Sequence, residues 1–178
     1  MQEILLLSGS LRKDSVNTKL LQAFAAQVAP SVAVTWADIN LPLFNEDLEA
    51  DVFPAAVTKL KQQIDRAEHV IIATPEYNRT MSGALKNALD WASRPYGESS
   101  WSGQSVCVVS ASPGGIGGAL AYYDVVKCLH HLGAVIPTGK EFILSGAFAK
   151  FDEQGQLIDE TTKDRIISTL QALNIPTK

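Results

Sequence analysis

The chain has 178 residues, of which 46% are hydrophobic, and a formal net charge of −4. This size suits one domain with a substantial core, predicted over residues 1–178, and the acidic balance, with no basic run longer than Arg12-Lys13, argues against a nucleic-acid partner. No apolar run approaches the ~20 residues that a membrane span needs and the N-terminus lacks a signal-peptide pattern, so we expect no membrane partner and a cytoplasmic location.

Apolar runs alternate with amphipathic stretches along the chain. Strands are predicted at residues 4–7, 32–36, 70–74, 106–110 and 134–137, with an extension of the last through 142–144 left open. Helices are predicted at residues 18–28, 54–67, 82–93, 118–132 and 161–173. This alternation with right-handed crossovers predicts an α/β, flavodoxin-like three-layer sandwich, a five-stranded parallel sheet of order 2-1-3-4-5 with helices on both faces.

Such a sheet binds ligands beyond the carboxyl ends of its strands, at the point where the strand order reverses. Three loops matter there: the first loop (residues 9–17), the third loop (75–79) and the fourth loop (110–118), which follow strands 1, 3 and 4. Each is unusual in composition, and all three are predicted to lie at one edge of the sheet.

The first loop has the composition of an anion cradle. Gly9 permits a tight turn, Arg12 and Lys13 supply positive charge, and the following helix offers unpaired backbone N–H groups. The short polar side chains are those of Ser10, Ser15 and Asn17. The spacing is neither that of a nucleotide-triphosphate loop nor that of the dinucleotide fingerprint, so a bound phosphate would belong to a mononucleotide. A solvated turn with an N-cap residue is the alternative interpretation.

The other two loops offer different groups. Tyr77 in the third loop supplies a planar aromatic side chain, and four glycines in the fourth loop let the backbone approach a flat ligand or turn sharply before a helix. The three loops thus suit three different needs of one ligand: binding of a phosphate, contact with a ring system and close approach of the backbone.

The cysteines and histidines give little support to a metal site. Cys107 and Cys128 lie in apolar surroundings without a C-x-x-C pair, and are predicted to be buried reduced thiols. His130 and His131 precede Gly133 at a predicted helix C-terminus, where partly positive imidazoles suit the helix dipole. No bound metal is therefore expected.

Three segments together resemble the NADPH-dependent FMN reductase family, which includes bacterial quinone reductases also described as chromate reductases and azoreductases. They are Gly9-Ser10-Leu11-Arg12-Lys13-Asp14-Ser15-Val16-Asn17, Pro75-Glu76-Tyr77-Asn78 and Ser82-Gly83-Ala84-Leu85-Lys86-Asn87-Ala88-Leu89-Asp90-Trp91. The resemblance extends in order and spacing from residue 4 to about residue 118.

The resemblance implies a set of FMN-binding residues. The FMN phosphate maps onto Ser10, Arg12, Ser15 and Asn17, and Val16 is a further cofactor-binding residue of the same loop. The isoalloxazine ring maps onto Pro75, Glu76, Tyr77 and Asn78. The fourth loop would complete the pocket through Ser112, Gly114 and Gly115, although Pro113 removes one backbone donor there. No catalytic side chain is expected, because the flavin carries the chemistry.

The implied function is that of an FMN-dependent oxidoreductase passing hydride from NADPH or NADH through bound FMN to quinones, free flavin, azo dyes or chromate. The implied partners are small-molecule electron acceptors and further copies of the chain, as a homodimer or homotetramer. The alternative is an FMN-binding electron carrier or redox sensor. Classical carriers tend to be more acidic than this chain, which favours the enzyme.

Several residues keep open roles. Arg79, Arg94 and Lys86 are each candidates to select NADPH through its 2′-phosphate. The polar segment 93–103 either carries Arg94, Tyr96 or Trp101 to the flavin or a neighbouring subunit, or is a surface loop. Tyr122 and Tyr123 are candidate interface residues, since aromatic side chains are enriched in interface cores.

Overall fold

A computed structural model describes residues 1–51, 53–137 and 141–178. In chain order the elements are β1 (Glu3–Ser8), α1 (Val16–Gln27), β2 (Ala33–Trp36), α2 (Glu46–Asp51), α3 (Ala55–Arg66), β3 (His69–Thr74), α4 (Gly83–Ala92), β4 (Val106–Ala111), α5 (Ala119–His131), β5 (Phe142–Leu144), a 3₁₀ turn (Ala147–Lys150) and α6 (Glu160–Ala172). No helix in the described ranges combines the length and the hydropathy needed to cross a bilayer.

The five strands form one parallel sheet in the order β2-β1-β3-β4-β5, which confirms the predicted topology. β1 pairs with β2 on one side and with β3 on the other, so the strand order reverses between β1 and β3. Ile4, Leu5, Leu6 and Leu7 are fully buried, because helices cover both faces of this central strand.

Two apolar cores lie on opposite faces of the sheet. On one face Leu20 and Phe24 of α1 pack with Ile166 and Leu170 of α6. On the other face residues of α3, α4 and α5 pack together, among them Leu60, Ile64, Leu89, Val125 and Leu129. The three layers of the predicted sandwich are therefore present, and the carboxyl ends of β1, β3 and β4 meet at one edge.

The prediction of a strand at residues 134–137 was wrong, and the segment left open, Phe142–Leu144, is the fifth strand. Val135 makes only an isolated bridge with Ser105, ahead of β4. Pro137 follows two residues later and has no N–H with which to continue a ladder. The short helix α2 was not predicted; Asn45 caps it by accepting a hydrogen bond from the Asp47 N–H (3.0 Å).

Candidate functional site

Close packing holds the first loop against the sheet edge at Gly9. The Gly9 N–H donates to the Ala73 carbonyl of β3 (2.8 Å), and the Gly9 carbonyl accepts from the Ser82 hydroxyl. A side chain at this position would place its Cβ 3.0 Å from the Ala73 oxygen, from Leu85 and from Pro75. Glycine therefore lets the first loop, the third loop and the start of α4 meet here without displacing a neighbour.

The residues after Gly9 are those predicted to bind an anion. Ser15 is the N-cap residue of α1, and although it is buried its hydroxyl makes no capping hydrogen bond. The N–H groups of Val16 and Asn17 belong to the first turn of α1, where helix geometry provides no carbonyl partner. Arg12, earlier in the same loop, is exposed, and its backbone N–H donates to the Ser10 hydroxyl (3.3 Å). The first loop thus offers a guanidinium, a hydroxyl and the positive end of a helix, the groups that the predicted cradle requires.

Asn17 differs from its neighbours because its side chain is already engaged. Its Nδ2 donates to the Ala111 carbonyl (3.0 Å) and its Oδ1 accepts from the Ala111 N–H (2.9 Å). Ala111 ends β4, so Asn17 fastens the first loop to the start of the fourth. Only the backbone N–H of Asn17 remains to meet an anion.

The third loop forms a tight turn that exposes Tyr77. Tyr77 and Thr80 exchange two backbone hydrogen bonds (3.0 and 3.1 Å), and both central residues, Asn78 (φ 51°) and Arg79 (φ 67°), are left-handed. These positive φ values at both central positions are those of a type I′ turn. Tyr77, the first residue of this turn, is 47% exposed.

Glu76 connects the third loop to the helix that follows the fourth. Its Oε2 accepts from the backbone N–H groups of Leu120 (3.0 Å) and Ala121 (3.2 Å), in the first turn of α5. A carboxylate at a helix N-terminus is stabilised by the unpaired N–H groups and by the helix dipole. Glu76 therefore holds the buried Pro75 and the exposed turn in place relative to α5.

A cavity of about 330 Å³ opens where the first loop, the third loop and α4 meet. Its lining residues are Gly9, Ser10, Leu11, Arg12, Tyr77, Ser82 and Ala84. Leu11, Ser82 and Ala84 were not predicted as site residues, although they lie in two of the three segments that carry the family resemblance. Ser82 is the N-cap residue of α4, and its hydroxyl accepts from the Leu85 N–H (3.1 Å). A serine at the start of an apolar periodic stretch is a sequence signal for such an N-cap position.

The fourth loop contributes no residue to the lining of this cavity. Ser112 is held by the last strand and the 3₁₀ turn, since its N–H donates to the Leu144 carbonyl and its carbonyl accepts from the Ala147 N–H (both 3.0 Å). The Gly114 N–H donates to the Ser112 hydroxyl (3.2 Å), whereas the space around Gly115 is open. Ser112, Gly114 and Gly115 thus lie at the predicted edge, and their contact with a ligand stays a prediction.

The sharp turn before α5 explains two of the glycines. Gly117 (φ 68°) and Gly118 (φ 85°) are both left-handed, and a Cβ on Gly117 would lie 2.6 Å from Ile143 Cγ2. Gly114 and Gly115 have neither constraint. The sequence offered two explanations for these glycines, a sharp turn before a helix and close approach of the backbone to a flat ligand. The turn accounts for Gly117 and Gly118, and for Gly114 and Gly115 the approach to a ligand stays a prediction.

A larger cavity of about 480 Å³ lies elsewhere, between β4, β5, α5 and α6. Cys107 and Tyr122 line it, and burial raises the pKa of each to about 12, so neither is ionised at neutral pH. Cys107 and Cys128 are partly rather than fully buried, and both are free thiols. This cavity holds none of the predicted site residues.

Segment 93–103 was proposed to carry Arg94, Tyr96 or Trp101 to the flavin or a neighbouring subunit, and the structure excludes one of the three. Trp101 is fully buried and donates its indole N–H to the Leu89 carbonyl (3.1 Å), so a role over the flavin or at a subunit interface is wrong for it. Tyr96 is 91% exposed, and Arg94 donates to Glu49 of α2 (2.7 Å). On α5, Tyr122 is buried, whereas Tyr123 is half-exposed and donates its hydroxyl to Glu141 (2.6 Å).

These features fit FMN on the chemistry of the groups present. The cradle offers donors and a cation suited to a phosphate monoester, and the adjoining cavity, beneath an exposed tyrosine, suits a flat ring. A flavodoxin-like sheet with both at its switch point defines a class of mononucleotide-binding α/β proteins.

Comparison with known proteins makes the assignment specific. Residues 2–149 match the model of the family described as NADPH-dependent FMN reductase, and the chain belongs to that family. It is 44% identical over 154 residues to a quinone reductase of Pseudomonas putida (86% of this chain, 83% of that one). It is 43% identical over 175 residues to an NAD(P)H-dependent FMN reductase of Pseudomonas aeruginosa (97% and 94%).

A solved structure agrees with the sequence relatives. The flavoenzyme FerB of Paracoccus denitrificans, an NAD(P)H:(acceptor) oxidoreductase, superimposes with a TM-score of 0.89 at 36% identity, covering 97% of this chain and 95% of that one. The chain is therefore an oxidoreductase with FMN as its cofactor and NAD(P)H as its reductant.

Proposed function

We propose that the chain reduces quinones with NAD(P)H at a single FMN site formed by the first loop, the third loop and the start of α4. The observation that carries this proposal is the convergence of an anion cradle and a ring-sized cavity at the switch point of the sheet. When bound, FMN accepts hydride from NAD(P)H and returns the electrons to an acceptor.

The cradle residues would hold the FMN phosphate. The hydroxyls of Ser10 and Ser15 and the backbone N–H groups of Val16 and Asn17 are short-range donors, and the Arg12 guanidinium adds a charge-assisted hydrogen bond. Asn17 acts through its backbone alone, because Ala111 occupies both ends of its amide.

The third loop would hold the isoalloxazine ring. Tyr77 lines the cavity directly, while Pro75 and Asn78 set the path of the turn that presents it. Glu76 fixes that turn through its hydrogen bonds to α5 and is not free to bond the ring with its Oε2. Gly114 and Gly115, with Ser112, would form the remaining wall, where the absence of side chains lets backbone come close.

The chain supplies position rather than acid–base groups. None of the described residues that line the cavity is a carboxylic acid or a histidine. Leu11 and Tyr77 instead present exposed apolar surface at the cavity, which suits a planar, weakly polar molecule. Quinones are therefore the proposed acceptor class, ahead of free flavin, azo dyes or a metal oxyanion such as chromate.

We also propose a homodimer or homotetramer in the cytoplasm. Two free thiols suit a reducing compartment, and the exposed aromatic side chains of Tyr96 and Tyr123 are of the kind enriched at interfaces. Light scattering coupled to gel filtration tests the assembly. A monomeric mass at micromolar concentration contradicts it.

Absorbance spectroscopy of the purified protein tests the proposed activity. We expect a flavin spectrum that bleaches when NADPH is added anaerobically and returns when a benzoquinone follows. Flavin that neither NADPH nor NADH reduces would instead identify an electron carrier or sensor. Failure to bind added FMN would contradict the site itself.

A further inference from the structure

Selection of NADPH over NADH needs a cation placed for the 2′-phosphate of the adenosine. Two of the three candidate cations are already engaged. Lys86 donates to both oxygens of Asp90 (2.7 and 2.8 Å), and Arg94 bonds Glu49 (2.7 Å) and approaches Glu46 (3.8 Å). An incoming phosphate would have to displace these carboxylates.

Arg79 is held far more loosely. Its side chain is 63% exposed, and its ion pair with Glu76 Oε1 is long at 3.8 Å. The other oxygen of Glu76 already accepts two backbone N–H groups from α5, so that carboxylate stays stabilised when Arg79 moves away. The nearby carboxylate of Asp124 accepts from the Thr80 hydroxyl (2.6 Å) and pairs with Lys127 (3.7 Å).

The backbone at Arg79 gives a second, independent reason. Its φ of 67° lies at the second central position of a type I′ turn, where Asn-Gly is the preferred pair. Here the Asn78 position follows that preference, but arginine replaces the glycine that would be least strained. A side chain kept where the backbone disfavours it points to a use for that side chain.

The position of the turn suggests the use. Tyr77, two residues earlier, lines the cavity, so the flavin ring and the nicotinamide would occupy the space beneath the turn. The rest of the dinucleotide must then lie on the surface around the mouth of the cavity. Next to Tyr77, that surface is formed by the turn that carries Arg79. Resting on the function proposed above, we propose that Arg79 binds the 2′-phosphate of NADPH and makes the chain prefer NADPH to NADH.

Four variants of the FMN-loaded protein test this proposal. Arg79→Gly removes the guanidinium and relaxes the turn, Arg79→Ala removes it without relaxing the turn, and Arg79→Lys keeps only the charge. Lys127→Ala is the matched control, because Lys127 is also exposed and pairs with a carboxylate at a similar distance (3.7 Å). Each is assayed with NADPH and NADH against one quinone, and each is titrated calorimetrically with adenosine 2′,5′-bisphosphate and with 5′-AMP.

The expected result is a roughly tenfold loss of kcat/KM for NADPH in Arg79→Gly and Arg79→Ala, whereas kcat/KM for NADH changes less than about twofold. The bisphosphate affinity falls in parallel, and 5′-AMP binding does not. Arg79→Lys keeps part of the preference, because lysine offers charge without the planar fork. Arg79→Gly is at least as thermally stable as the wild type, which excludes a collapsed turn as the cause of its loss.

Three outcomes overturn the inference while leaving the proposed function intact. In the first, the wild type has equal kcat/KM for NADPH and NADH. In the second, Arg79→Gly keeps the wild-type kcat/KM for NADPH. In the third, kcat/KM for NADPH falls as much in Lys127→Ala as in Arg79→Gly. A wild type whose flavin is reduced by neither dinucleotide overturns the proposed function and this inference together.

Discussion

Asn17 and Ala111, 94 residues apart in the chain, are joined by two hydrogen bonds that use both ends of the asparagine amide (3.0 and 2.9 Å). Both groups are buried, so each bond satisfies a backbone atom of β4 that water does not reach. The pair ties the start of α1 to the carboxyl end of β4, which is where the first and fourth loops must keep their relative positions.

Asn17→Ala is therefore expected to destabilise the protein. It leaves the N–H and the carbonyl of Ala111 without these partners, at a cost of about 2–4 kcal/mol in the free energy of unfolding. Urea denaturation of the FMN-free protein measures this directly. The control is Ser15→Ala, which removes a hydroxyl that makes no capping bond and should weaken FMN binding with little loss of stability. Equal denaturation midpoints for Asn17→Ala and wild type would contradict the structural role.

Arg12→Ala tests the assignment of the phosphate. Arg12 is exposed in the cradle, so its removal should leave the fold intact and delete one charge-assisted hydrogen bond. Such a bond contributes about 1.5–3 kcal/mol, or roughly ten- to a hundredfold in FMN affinity. Fluorescence titration of the FMN-free protein with FMN gives the dissociation constant. Lys13→Ala is the matched control; a similar loss in both variants would indicate general electrostatic attraction rather than a specific contact.

The fourth loop allows a comparison between two glycines. Gly117→Ala forces a left-handed alanine and places Cβ 2.6 Å from Ile143 Cγ2 and 3.0 Å from the Ser145 nitrogen, so we expect a loss of at least about 2 kcal/mol in stability. Gly115→Ala meets nothing within 4 Å and should change stability by less than about 0.5 kcal/mol.

FMN affinity separates the structural role of these glycines from the binding role. If backbone at Gly115 approaches the ring, the added methyl group of Gly115→Ala weakens FMN binding although the fold is unaffected. Thermal unfolding and FMN titration of both variants supply the two readouts. Unchanged FMN affinity in Gly115→Ala would remove that residue from the site.

The strand and helix order followed from the sequence because buried strands and amphipathic helices have distinct periodicities. That order alone predicted the edge of the sheet at which the first, third and fourth loops meet. The hydrogen-bond partner of Asn17 could not be predicted from the sequence. A short amide side chain at a helix start is equally suited to capping, to anion binding or to a distant backbone contact. Trp101 was misplaced for a related reason: a polar segment around a tryptophan does not show that the indole N–H finds the Leu89 carbonyl in the core.

Asp159 should give stability a specific dependence on pH. Asp159 is the N-cap residue of α6, and its carboxylate accepts hydrogen bonds from Lys150 (2.7 Å) and from Thr162 in the first turn. These bonds lower its pKa from the ordinary 3.8 to about 2, with the Lys150 bond the largest cause. The unfolded chain then binds the proton more readily than the folded chain. The stabilisation is therefore complete above about pH 4 and disappears as the pH falls towards about 2.

Asp159→Asn isolates this effect from the other carboxylates. Asparagine can still accept the Thr162 N–H but loses the charge that attracts Lys150. The difference in urea midpoint between wild type and Asp159→Asn should thus be largest near neutral pH and shrink between pH 4 and pH 2, as should the difference for Lys150→Met. A difference that stays constant over this range would show that Asp159 acts as a neutral cap, with the ion pair contributing nothing.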